Sequence, residues 1–144
     1  MKLSEIQIKY KSNIKKRIKV STSNQAYEVF RELWDESTIE LREEMKVVLL
    51  NRDNVVLGAY TLSTGGVAST IADKRLIFGV ALKANASGIV IAHNHPSGNL
   101  GPSATDKDLT SEIKSVGKLM DIQLLDHLIL TRDDYFSFAD NGLI

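Results

Sequence analysis

Two histidines and an aspartate in one polar segment are the residues whose types and spacing best suggest chemistry. His93 and His95 lie two residues apart where an apolar run ends, and Asp106 follows in the next helical pattern. In extended backbone, residues i and i+2 point to the same face, so both imidazoles can bind one divalent cation. The intervening loop is long enough to return Asp106 as a third ligand. Three protein ligands leave the fourth position of a tetrahedral zinc site for water, which is typical of a catalytic site.

The predicted chemistry is hydrolysis, because zinc lowers the pKa of a bound water towards about 7. A general base must take the proton of this water, and Glu43 and Glu44 directly precede an apolar strand that starts at Met45. Glu43 alternates with the buried positions of that strand, so only one of the two glutamates points to the buried face. Ser103 can donate a hydrogen bond to the oxyanion. Ser103 and Asp106 also fit a helix-capping pattern, and the two roles are compatible.

The spacing of apolar residues predicts the elements that position these side chains. In chain order, the predicted elements are edge strands with alternating apolar residues at 6–20, a helix capped by Ser23, a hairpin of strands 45–50 and 55–62, a strand at 67–71, a helix at 73–85, a buried central strand at 87–92, a helix through 109–120, and strands at 122–131 and 135–138. This order predicts an α/β sandwich in which helices enclose a mixed β-sheet.

Composition narrows the function classes. A chain of 144 residues fits one domain, and 18 basic residues balance 18 acidic ones, so nucleic acid is not the favoured partner. The absence of cysteine excludes disulfides, thiol catalysis and cysteine-ligated zinc. No apolar run is long enough for a membrane span or a signal core, and we expect a cytoplasmic protein. The basic cluster between Lys11 and Lys19 is interpreted as a solvated edge, with a phosphate-binding patch as the alternative.

The same residues resemble a known signature. His93-x-His95, Ser103 and Asp106 at this spacing, with Glu43 upstream, are similar to the JAMM metalloprotease signature, also called MPN+ or JAB. The closer resemblance is to the RadC-like proteins of bacteria, over about residues 21–144. It is carried by the runs HNHPSG at 93–98, PSxxD at 102–106, LLDHLIL at 124–130 and YFSFAD at 135–140.

The resemblance implies a cytidine-deaminase-like JAB/MPN sandwich over residues 21–144, after a β-like N-terminal extension at residues 1–20. It implies one zinc ion per chain, held by His93, His95 and Asp106. It also implies that Glu43 is the general acid and base and that Ser103 is the oxyanion helper. Related eukaryotic and archaeal enzymes cleave isopeptide bonds to ubiquitin-like modifiers, so the implied substrate is a peptide or an isopeptide.

Two other functions stay open at this stage. One is a DNA-repair-associated accessory protein, and the other is an interaction module that zinc stabilises without turnover. A zinc deaminase is disfavoured, because the chain lacks the HxE and PCxxC motifs of that class.

Asn94, Ser97 and Gly98 are interpreted as turn residues. His127 is interpreted as a buried, hydrogen-bonded residue, with support of a metal ligand as the alternative. The sequence leaves the substrate and the oligomeric state undetermined.

Overall fold

A computed structural model describes residues 1–13, 15–65 and 72–144. These residues form a five-stranded mixed sheet with helices against both faces, which confirms the predicted α/β sandwich. No helix in the described ranges is long and apolar enough to cross a bilayer. The strand predicted at 67–71 falls outside these ranges. The elements are α1 (Ser23–Leu33), β1 (Glu44–Leu50), β2 (Val56–Thr64), α2 (Lys74–Lys83), β3 (Gly88–Asn94), α3 (Ala104–Leu119), β4 (Gln123–Leu130) and β5 (Tyr135–Ser137).

The strand that carries the first histidine lies at the centre of the sheet. The strand order is β2-β1-β3-β4-β5, with β3 parallel to β4 and the other neighbours antiparallel. All seven residues of β3 are buried, as its apolar run predicts. His93 pairs with Met45 on one side and with Ile129 on the other. The end of β3 is therefore held between the start of β1 and the end of β4.

Each face of the sheet has its own core. Alternation along β1 and β3 sends odd-numbered residues to the face covered by α2 and α3, and even-numbered residues to the face covered by α1. The first core includes Met45, Val47, Leu49, Ile89, Ile91, Ile77 and Ile113. The second includes Val48, Leu50, Val90, Ala92, Phe30, Leu128 and Leu130. His93 continues the first series, so its side chain lies on the α3 face.

The first helix begins one residue earlier than predicted. Thr22, not Ser23, is the N-cap, and its side-chain hydroxyl accepts a hydrogen bond from the Gln25 backbone N–H at 3.2 Å. The hydroxyl of Ser23 instead donates to Asp140 at 2.5 Å. Adjacent serine and threonine residues are both good caps, and a tertiary partner at the far end of the chain decides between them.

The described residues of 6–13 and 15–20 do not form the predicted edge strands. Among the described residues of this segment, Lys19 alone makes a β-bridge, with Val55. Ile6 and Ile8 are 88% and 75% exposed. Alternating apolar residues stabilise a strand only when one face packs on a core, and these side chains have no such surface to cover. Burial begins at Val20, which is 5% exposed.

Candidate metal centre

The two histidines converge where β3 ends. β3 continues past the predicted end at Ala92 through Asn94, and the His95 backbone N–H donates to the Leu130 carbonyl at 2.9 Å. The extended geometry therefore spans both histidines, and their side chains share one face as predicted. Their Nε2 atoms lie 3.0 Å apart. The His93 side chain is 1% exposed and that of His95 is 17% exposed, so the pair opens to solvent on one side only.

The capping box of α3 brings Asp106 to the same point. The Ser103 hydroxyl accepts a hydrogen bond from the Asp106 backbone N–H at 3.0 Å, and Asp106 Oδ2 accepts one from the Ser103 backbone N–H at 2.9 Å. The predicted helix cap is thus confirmed. Asp106 Oδ1 lies 3.3 Å from His93 Nε2, and Asp106 Oδ2 lies 3.5 Å from His95 Nε2. The cap also fixes the direction of this carboxylate.

The donor atoms fit a tetrahedral metal ion. Ligands about 2.0 Å from a tetrahedral zinc lie about 3.3 Å from one another. Here the two Nε2 atoms are 3.0 Å apart, and each has its own oxygen of the Asp106 carboxylate nearby, Oδ1 at 3.3 Å from His93 and Oδ2 at 3.5 Å from His95. The His95 Nδ1 atom is 2.6 Å from the Asn99 carbonyl oxygen, which can only accept, so Nδ1 carries the proton. The lone pair of His95 Nε2 then faces the centre, which is the form that binds a metal.

Glu43, and not Glu44, faces this centre. The ligand atoms of Glu43, His93 and His95 all lie within 4.8 Å of one another. The carboxylate of Glu44 turns away to Arg42 at 3.1 Å and Lys46 at 3.0 Å. The alternation along β1 explains this difference, because successive side chains of an extended chain point to opposite faces.

The electrostatics of the cluster favour positive charge at its centre. Burial alone would raise the pKa of Asp106, but the Nε2–H groups that His93 and His95 direct at it in their protonated forms hold this pKa well below its usual range. The hydrogen bond to Asp106 raises the pKa of His95 against the effect of burial. Burial raises the pKa of Glu43, and the two histidines oppose that rise. The centre thus attracts a cation, and the half-buried Glu43 carboxyl retains affinity for a proton.

The sequence predicts a turn at Asn94, but this residue is a buried part of β3. It lies within β3 with no exposed surface. Its Oδ1 accepts a hydrogen bond from the Glu44 backbone N–H at 2.7 Å, and its Nδ2 donates to the carbonyls of Ile39 and Arg42 at 2.7 and 2.9 Å. These bonds hold the segment that delivers Glu43. The available signal was its place between the histidines in extended backbone, which turns it to the opposite face.

Loss of the Asn94 side chain should destabilise the fold. We expect Asn94→Ala to lower the free energy of unfolding by about 3 kcal/mol, because buried backbone groups lose their partners. Urea denaturation measures this change. Asn24→Ala is the matched control, since its single exposed bond to Glu28 contributes about 0.5 kcal/mol or less. Equal stability of Asn94→Ala and the parent protein would contradict the role of the Asn94 side chain in holding the segment that carries Glu43.

His127, the third histidine of the chain, contacts the cluster from its buried side. His127 is fully buried, as predicted, and burial lowers its pKa well below its usual range. Its Nε2 lies 2.7 Å from His93 Nδ1, and its Nδ1 lies 2.6 Å from the Thr110 hydroxyl. Its ring stacks on Phe138 with the centroids 4.5 Å apart. The hydrogen-bond partners of its ring are thus one residue of the cluster and one residue of the helix that carries Asp106.

Comparison with known proteins identifies the family. The family model that describes the RadC-like JAB domain matches residues 20–143 of the sequence. A UPF0758 protein of Flavobacterium johnsoniae is 41% identical over 131 residues, which cover 91% of this chain and 56% of the relative. A UPF0758 protein of Porphyromonas gingivalis is 47% identical over 104 residues, or 72% of this chain and 46% of the relative. The chain spans about half the length of the curated relatives it matches. The predicted resemblance is confirmed, and the chain belongs to the RadC-like JAB domain family.

Proposed function

We propose that this chain is a zinc-dependent hydrolase of amide bonds, a metallopeptidase or isopeptidase of the JAMM type. The observation that carries the proposal is the convergence of two imidazole nitrogens and one carboxylate within 3.5 Å, beside a second carboxylate. His93, His95 and Asp106 would hold one zinc ion per chain. When bound, zinc would supply a Lewis acid and lower the pKa of a water towards about 7.

The position of the second carboxylate supports a role as general base. Glu43 directly precedes β1, whereas Asp106 lies in α3, so the two acids reach the histidines from different segments of the chain. In the proposed mechanism, the Glu43 carboxylate takes the proton of the attacking water and returns it to the leaving nitrogen. In this mechanism Asp106 binds the cation, and Glu43 stays free to exchange a proton.

Ser103 has a proton available for the oxyanion. Its hydroxyl oxygen accepts a hydrogen bond from the Asp106 backbone N–H, and this leaves the hydroxyl hydrogen free to donate. Ser103 is exposed and bonded to the backbone of Asp106, so a substrate carbonyl beside the centre can reach it. In the proposed mechanism, Ser103 donates to the oxygen that becomes negative as the water attacks.

The test is a cleavage assay with the zinc-loaded protein on a panel of peptide and isopeptide substrates. We expect chelator-sensitive cleavage, and a decrease in kcat of about 10²-fold in Ser103→Gly. Glycine caps a helix nearly as well as serine, so this variant removes the hydroxyl while keeping the stability within a few tenths of a kcal/mol. Ser103→Thr keeps both the cap and the hydroxyl and should retain cleavage.

Two results would contradict this proposal in different ways. Stoichiometric zinc binding without cleavage of any panel member would favour an interaction module that zinc stabilises. Undiminished kcat in Ser103→Gly would exclude Ser103 as the oxyanion donor while leaving the hydrolase intact.

A further inference from the structure

A β-bulge turns His127 towards the metal centre. Where β3 pairs with β4, Ile89 pairs with Leu124 and Val90 pairs with Asp126, so Leu125 is an extra residue. Leu124 lies in the core beneath α2 and α3, whereas Leu128 lies in the core beneath α1. Without the extra residue, strict alternation would send His127 to the α1 face. Bulges of this kind often re-aim a side chain beside a functional site.

The hydrogen-bond partners of Thr110 determine which ring nitrogen of His127, and then of His93, carries the proton. Thr110 donates its single hydroxyl hydrogen to the Asp106 carbonyl at 2.7 Å, so its oxygen must accept from His127 Nδ1 at 2.6 Å. The neutral imidazole of His127 therefore presents a lone pair at Nε2. That lone pair accepts from His93 Nδ1 at 2.7 Å. His93 then carries its proton on Nδ1, and its Nε2 lone pair faces Asp106 and His95.

We propose that His127 and Thr110 are positioning residues that hold His93 in the metal-binding tautomer and join it to the helix that carries Asp106. The chain of contacts runs from the Asp106 carbonyl through Thr110 and His127 to His93, and none of these three side chains is more than 1% exposed. Histidine ligands commonly donate their second ring N–H to a carboxylate or a carbonyl. Here a second histidine accepts that proton, and a threonine hydroxyl orients it.

The same contacts couple two ligands that lie on different elements. Asp106 is at the start of α3 and His93 is at the end of β3, and Thr110 lies one helical turn after Asp106 on the buried side of α3. Because Thr110 and Asp106 lie on the same helix, the Thr110 to His127 bond ties the start of α3 to the ring that contacts His93. This series of hydrogen bonds thus sets the tautomer of His93 and helps to fix the position of Asp106 relative to β3.

The experiment measures two quantities that do not depend on turnover. Long-range ¹H–¹⁵N correlation spectra of the metal-free protein report the tautomer of His93, and competition with a chromophoric chelator reports zinc affinity. We expect the wild-type protein to carry the His93 proton on Nδ1. His127→Phe keeps the ring stack on Phe138 and should weaken zinc binding by about 10- to 100-fold. Thr110→Val, which removes only the hydroxyl, should shift the tautomer and weaken binding in the same direction.

Control variants separate positioning from general damage to the fold. Thr110→Ser restores the hydroxyl and should restore both readouts. Ser115→Ala removes an equivalent hydroxyl bond to the Ser111 carbonyl on the exposed side of α3 and should change neither readout. If His127→Phe does not fold, Thr110→Val alone decides.

Either of two results would overturn the inference: a His93 proton on Nε2 in the wild-type protein, or parental zinc affinity in a folded Thr110→Val. The inference rests on the proposed metal site, but its failure can be distinguished from failure of that site. A wild-type protein that binds no zinc would refute the site, whereas the tautomer spectra test the positioning role without metal.

Discussion

A Glu43→Gln variant should bind zinc as the parent protein does and lose kcat by about 10²- to 10⁴-fold, the usual contribution of a general base. Glutamine keeps the size and polarity of the side chain but cannot take a proton from water. Steady-state kinetics on the best substrate of the cleavage panel measure the loss, and chelator competition confirms that zinc is retained. Because Glu43 is assigned to proton transfer and not to ligation, kcat should fall while zinc affinity stays at the parental value.

Glu44→Gln is the matched control for this prediction. Glu44 is the adjacent acid, and its carboxylate lies against Arg42 and Lys46. We expect this variant to lose stability, because Lys46 is only 8% exposed and would lose its buried partner. The kcat of its folded fraction should stay at the parental value. Equal activity of Glu43→Gln and the parent protein, or a larger kinetic loss in Glu44→Gln, would contradict the assignment of the base.

Zinc should raise the melting temperature of the parent protein, and loss of a ligand should abolish this rise. At a free zinc concentration of 100 times Kd, binding to the native state adds about 2.7 kcal/mol, or about 5 to 10 °C for a domain of this size. We expect His95→Ala and Asp106→Asn to lose most of the increase. Differential scanning fluorimetry with and without zinc measures it.

The control for the aspartate is two residues further along the same helix. Asp108 is exposed on α3, and Asp108→Asn should respond to zinc as the parent protein does. A response that survives in Asp106→Asn would exclude this carboxylate as a ligand. Glu43 would then be the alternative third donor, since its ligand atom lies within 4.8 Å of those of both histidines.

The sequence predicted the cluster well because its geometry is local. Two residues in extended backbone share a face whatever surrounds them, and a capping box places its acidic residue in the first turn of a helix. The shared face of His93 and His95 and the place of Asp106 in the first turn of α3 therefore follow from short-range rules, whereas their convergence depends on how α3 packs beside β3. The alternation along β1 left one of two glutamates facing the buried side, and the resemblance chose Glu43. The structure places this residue beside the histidines.

Features that depend on pairing between distant segments were not predictable. The bulge at Leu125 depends on the register of β4 against β3, and no local pattern marks it. Asn94 is a common turn residue, and only the segment at 39–44 gives its amide three partners. At the N-terminus, alternation predicted strands, but alternation does not show whether a surface exists for the apolar residues to cover. In each case a tertiary contact decided between two locally acceptable states.

X-ray absorption at the zinc K-edge tests the central claim most directly, because it reports the atoms around the metal without requiring a substrate. For the zinc-loaded protein we predict one zinc per chain and a shell of nitrogen and oxygen atoms at about 2.0 to 2.1 Å. The imidazole scattering should correspond to two histidines and should fall to one in His95→Ala. Zinc well below one per chain, or a shell without imidazole, would contradict the metal centre.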